Sequence, residues 1–159
     1  MTCSLNPAFK WTLITIEDPE FLPGKNIVNI IQLISKVVCF KFVILDYIYG
    51  AANNGLIPFL QEKRNKILKI EDVFQEISKV IQFDWGDFFL FKEYPEQWNN
   101  SKGEQYSYVI AQTDTTIRAV DDQYIYVYTP YEEILNLIKK NYKIESVKID
   151  MLQNLDYPE

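Results

Sequence analysis

The chain contains no histidine. That absence removes every Ser-His-Asp triad, every Cys-His dyad and every histidine-ligated zinc or iron site from what these residues can build. Cysteine is scarce as well: Cys3 and Cys39 cannot form a four-cysteine zinc site. They also fall short of the disulfide framework of a small secreted domain, so a reducing compartment is expected. Cys39 lies in an apolar setting and is expected to be an inert core residue rather than a nucleophile. Arginine is limited to Arg64 and Arg118. Arg118, beside a strand, is expected to be a surface or salt-bridge residue. No P-loop, G-x-G-x-x-G or G-x-S-x-G motif occurs, and there is no internal repeat or low-complexity segment.

Long uninterrupted apolar runs are missing too. The most hydrophobic region, residues 27–49, is broken by Asn29, Gln32, Lys36, Lys41 and Asp46, which a membrane span tolerates poorly. The N-terminal stretch MTCSLNPAFKWTL lacks a basic region followed by an apolar run, so no secretory signal is expected and the cytoplasm is the expected location.

What the chain does have is aromatic and acidic residues. Its 159 residues fit one domain, and a chain of that length can bury roughly 70% of its unfolded surface. Eleven Tyr, ten Phe and three Trp supply an ample core. The net charge of −6 is unevenly spread. Residues 1–79 carry nine basic and eight acidic side chains, whereas residues 80–159 carry seven and fourteen. A negative field over the second half disfavours nucleic acid and anionic membranes and favours a basic partner.

Periodicity predicts a strand at 9–17, ended by Asp18-Pro19, and a helix at 26–38. Residues 40–49 fit a strand or a continuation of that helix, and periodicity does not choose between them. Helices are expected at 56–68 and 70–81, the second with Glu71 and Asp72 in its first turn. Strands are expected at 83–92, 105–112, 116–120 and 123–129, with a long exposed loop at 93–104. Thr129-Pro130-Tyr131-Glu132 reads as a helix start with Thr129 as cap. A last strand is expected at 143–149, and a loosely held tail at 150–159. The expected class is α+β, a single domain with an antiparallel sheet of about five to six strands and helices packed on it.

Two segments stand out. In FDWGDFFLF, residues 83–91, strand alternation sets Phe83, Trp85, Asp87, Phe89 and Phe91 on one face. This is either a core strand with a glycine at a close approach or a strand whose start, at Asp84, Trp85 and Asp87, meets a partner. In AVDDQYIYVYTP, residues 119–130, Asp121-Asp122 makes a turn and Tyr124, Tyr126 and Tyr128 share a face. That tyrosine ladder is either packing under a covering element or an interaction surface. Asp84 with Asp87, or Asp121 with Asp122, could instead serve a carboxylate-based active site, with or without magnesium.

Through FDWGDFFLF and VDDQYIYVYTP the stretch 80–138 resembles bacterial immunity proteins, which neutralise the toxin domains of contact-dependent growth inhibition and other polymorphic toxin systems. The resemblance implies a cytoplasmic inhibitor, without cofactor, that binds a cognate, basic toxin and blocks it. Against a nuclease, acidic groups would occupy phosphate positions. The contacts it implies are Asp84, Asp87, Glu93, Glu96, Trp98, Asp121, Asp122, Tyr124 and Tyr126. The alternatives are a small carboxylate-based enzyme or ligand-binding domain, and a structural or adaptor protein.

Overall fold

A computed structural model describes residues 10–17, 24–99, 106–121 and 123–158. Seven strands form one sheet in the order β3-β2-β4-β5-β6-β1-β7, and every neighbouring pair is antiparallel. They are β1 (Lys10–Glu17), β2 (Phe42–Ala51), β3 (Leu68–Lys69), β4 (Gln82–Phe91), β5 (Thr115–Val120), β6 (Tyr124–Thr129) and β7 (Ile144–Met151). The helices are α1 (Gly24–Ile34), α2 (Leu56–Gln61), α3 (Ile70–Ser78), α4 (Tyr106–Ile110) and α5 (Glu132–Asn141). No helix among the described residues is long and apolar enough to cross a membrane.

Each long helix forms because its apolar residues fall on one stripe. Ile27, Ile30, Ile31 and Ile34 of α1, Ile70, Val73 and Ile77 of α3, and Ile134, Leu135 and Ile138 of α5 are all buried. They cover one sheet face, where they meet Ile14, Ile16, Leu45, Phe88, Leu90, Ile117, Ala119, Ile125 and Val127. The helix start near residue 130 differs in detail from the capping-box expectation. Tyr131 occupies the cap position without a side-chain bond, while Thr129 Oγ1 accepts from the Tyr131 N–H at 3.2 Å. Glu132 and Glu133 still lie in the first turn and Lys139 and Lys140 in the last, as the helix dipole favours.

The opposite face has its own core. Trp11, Leu13, Ile44, Phe89, Phe91 and Tyr128 are covered by Val109 and Ile110 of α4, by Trp98, and by Leu152 and Leu155 after β7. Several expectations give way here. Residues 105–112, expected as a strand, contain α4, whose Val109 and Ile110 both pack into this second core. Residues 40–49 resolve as β2. The helix expected over 56–68 stops at Gln61, and the chain turns to place Leu68 and Lys69 beside Val43 and Phe42. Cys39, expected in the core, is exposed in the turn before β2. Where a loose tail was expected, β7 runs to Met151, a 3-10 turn spans Leu152–Asn154, and Leu155 is buried.

Two glycines are needed for different reasons. A Cβ on Gly24 would lie 1.7 Å from the carbonyl oxygen of Ile77, because the first turn of α1 rests on the C-terminal end of α3. The Gly24 N–H donates to Val80 O at 2.8 Å in the same contact. Gly55 has open space around it but a φ of 71°. Gly24→Ala is expected to cost about 2–3 kcal/mol by forcing two backbones apart. Gly55→Ala is expected to cost about 1 kcal/mol through backbone conformation alone. Urea denaturation of the two variants checks the ranking, and a neutral Gly24→Ala would refute the close contact.

Candidate functional site

The covered face carries its side chains in rows that run across the strands, because antiparallel register sets partners side by side. One row is Asp46, Asp87, Arg118, Tyr126 and Thr15, on β2, β4, β5, β6 and β1 in turn. The next row outward is Tyr49, Trp85, Val120, Tyr124 and Glu17 on the same five strands. Slips in the β2–β4 register between Asp46 and Gly50 bring Tyr49 opposite Trp85 and Gly50 opposite Phe83. The slip also moves Phe83 to the helix-covered core, away from the Trp85 face on which simple alternation puts it.

The inner row is charged and buried. Asp87 and Arg118 are fully inaccessible. Arg118 Nε donates to Asp87 Oδ1 at 3.1 Å, and Nη2 donates to the Pro158 carbonyl at 2.7 Å. The guanidinium carbon lies 3.9 Å from the centre of the Tyr106 ring and 5.1 Å from that of Trp85. Tyr157 completes the enclosure: its ring stacks on Tyr128 at 5.3 Å and on Tyr106 at 6.1 Å. The Tyr128 hydroxyl donates to Asp156 O at 2.7 Å. Burial pushes the Asp87 carboxyl up to about 7, against the opposing pull of Arg118. Asp46, also buried, accepts from Arg64 Nε at 2.5 Å and from the Tyr47 N–H at 2.9 Å. The two neighbouring carboxylates each therefore face a guanidinium. No group of three or more His, Cys, Asp or Glu suited to a metal ion occurs among the described residues.

The predicted contacts divide. Asp84 and Asp121 are exposed and joined, the Asp121 N–H donating to Asp84 O at 2.9 Å. Asp121 takes a left-handed φ of 56° that lets the β5–β6 turn close tightly. Tyr124 and Tyr126 are half-buried in the two rows, their rings 6.3 Å apart. Asp122 lies outside the described residues. Asp87 is withdrawn as a contact, since its side chain is sealed against Arg118. Glu93, Glu96 and Trp98 follow the far end of β4, ten residues or roughly 30 Å along the strand. Glu93 and Glu96 are exposed there, whereas Trp98 packs on Phe89 and Phe91 at 5.1 and 5.7 Å and serves the second core.

Sequence reasoning missed the β2 contribution. Tyr47 has a φ of 48°, rare for a bulky residue, and stands beside Tyr49 at the register slips. Asp46, Tyr47, Tyr49, Gln61 and Arg64 line a pocket of about 230 Å³. No local pattern signals it, because the bulge depends on the pairing partner.

The buried pair makes stability depend on pH. An unfolded aspartate titrates near 3.8 and Asp87 in the fold near 7. Between those values the folded chain holds a proton that the unfolded chain has lost. Its contribution is greatest below pH 4, falls as pH rises through 7, and is flat above. Asp87→Asn should flatten this slope in denaturation curves taken from pH 4 to 8, and an unchanged slope would refute the assignment.

No family model matches the chain, and neither the curated proteins nor the solved structures contain a match to it, so the geometry of these two rows is what its function has to be read from.

Proposed function

We propose that the chain is an immunity-type inhibitor that binds a basic protein partner with the outer row of its sheet. The observation that carries this reading is the grouping of exposed acids and aromatic side chains at one end of the sheet. Glu17, Asp84 and Asp121 are exposed, and none is in an ion pair among the described residues. Between them stand Tyr49, 53% exposed, and the half-buried Trp85 and Tyr124. Large rings held by strands lose little freedom on binding, and Tyr and Trp supply much of the energy of protein interfaces. The flanking carboxylates would speed encounter with a cationic surface and fix its orientation.

Rigidity favours the same reading. Trp85 stands over Arg118, which is fixed by Asp87 and the Pro158 carbonyl, so the ring is held from below. The carboxylate-based enzyme has less support, because the two buried aspartates of the inner row already face Arg64 and Arg118.

The test begins with the polypeptide encoded next to this chain. Its toxic domain should arrest growth when expressed alone and fail to do so with the chain present. The double variant Asp84→Lys, Asp121→Lys should bind that domain at least about tenfold more weakly, with a flatter dependence on salt. Glu93→Lys with Glu96→Lys, at the other end of β4, should bind as the unaltered chain does. A harmless neighbour, or equal loss at both ends, would overturn the proposal.

A further inference from the structure

The two edges of the sheet are unlike. β3 presents two residues, whereas β7 presents eight and, among the described residues, pairs with β1 alone. Edge strands are usually short, bulged, interrupted by proline or covered, since an open row of N–H and C=O groups templates further pairing. β7 has no proline, and the register step opposite Thr15 and Ile16, which passes over Glu145 of β7, lies near its start and away from Ile149. Five consecutive residues, 145–149, are exposed. Val147 is 40% and Ile149 57% exposed, on the side of the strand that continues the helix-covered face, opposite Ile14 and Thr12. Lys148 and Asp150 point to the other face, opposite Leu13 and Trp11.

We propose that β7 is a homotypic docking edge that pairs antiparallel with β7 of a second copy, about a two-fold axis through Ile149. Its own charge pattern selects the partner and the register. On a two-fold axis normal to the sheet, a residue on the axis meets itself and its neighbours meet reciprocally. An axis at Lys148 sets two ammonium groups against each other. An axis at Val147 sets Lys148 against Ser146, with no carboxylate opposite it in the second copy; within its own chain Lys148 Nζ lies 3.9 Å from Asp156 Oδ1. An axis at Ile149 sets Ile149 against Ile149, Val147 against Met151, and Lys148 against Asp150 twice over. Hydrogen bonds from Asn154 and from the Met151 N–H hold the Asp150 carboxyl below its usual range, so it is charged at neutral pH. The segment after Met151 does not block the edge: Lys148 Nζ donates to Asn154 O at 3.1 Å, which keeps the 3-10 turn under the strand's own face.

The resulting sheet runs through both copies with α1, α3 and α5 of each on one side. The outer rows lie about 20 Å from the axis along the strand, six residues at strand spacing, on opposite ends of the pair. Each remains open to a partner, so the pairing goes beyond the inhibitor reading and does not depend on it. An edge contact of this length buries less than the roughly 800 Å² per partner of a tight interface, so dissociation in the micromolar range is expected.

Sedimentation of the purified full chain, with no partner added and from about 1 to 200 μM, tests this. The mass should rise with concentration from that of one 18.8 kDa chain towards two. Lys148→Asp and Asp150→Lys should each weaken association at least about tenfold, and the double exchange should restore it. Within the chain the exchange keeps the attraction between positions 148 and 150 but loses the Lys148 contacts to the Asn154 carbonyl and to Asp156, so the fold of each variant is compared by circular dichroism alongside its association. Ile149→Lys, at an exposed position, should leave circular dichroism unchanged and abolish the dimer. A chain that stays monomeric throughout, a double exchange as weak as the single variants, or an Ile149→Lys dimer of normal strength would each overturn the proposal. Binding to the toxic domain is measured separately, so either reading can fail alone.

Discussion

The Asp87–Arg118 pair is the constraint around which one whole face of the sheet is arranged. A guanidinium without access to water needs a countercharge, acceptors and polarisable walls, and each comes from a different part of the chain. β4 gives the carboxylate, the segment after β7 gives the Pro158 carbonyl, and α4 and β4 give the Tyr106 and Trp85 rings. Among the described residues, Asp87 Oδ2 and Arg118 Nη1 have no hydrogen-bond partner, so the cluster has no contact to spare. The cluster thus links strand pairing, the fold of α4 and the course of the last residues through a single side chain.

That arrangement separates two roles that acidic residues can play. Asp46 and Asp87 face inward and hold arginines; Glu17, Asp84 and Asp121 sit one register step or one turn away and face water. The inner row gives the face its shape, and the outer row gives it charge. Trp85 belongs to both, being in the outer row and against the Arg118 guanidinium.

Helical periodicity made α1, α3 and α5 legible, because each buries a stripe such as Ile27, Ile30, Ile31 and Ile34 that no strand would produce. Strands β1, β4, β5 and β6 were legible from their apolar and aromatic runs. What depended on distant partners was not. α4 carries Tyr106, Tyr108 and Ile110 at strand-like spacing, and only the apolar face beneath it makes a helix the better fit. The burial of Asp87 could not be read from Asp84 or Trp85 beside it, since it depends on Arg118, thirty-one residues on, and on a tail expected to be loosely held. Of the candidate contacts, Asp84, Asp121, Tyr124 and Tyr126 come together because two turns close at the same end of the sheet. Glu93 and Glu96 were grouped with them by charge alone.

The strand order also bears on how the chain reaches this state. β1 lies between β6 and β7, so Thr12 meets Thr129 on one side and Ile149 on the other. Both neighbours of β1 lie in the last third of the given sequence, so β1 is made long before either of them. Such distant pairings carry a large loop-closure cost and slow folding. Helices α1 and α3 with strands β2 to β5 can assemble meanwhile, leaving an open β5 edge that β6 then extends and β1 caps. Synthesis speed and chaperone protection of residues 10–17 should therefore influence yield.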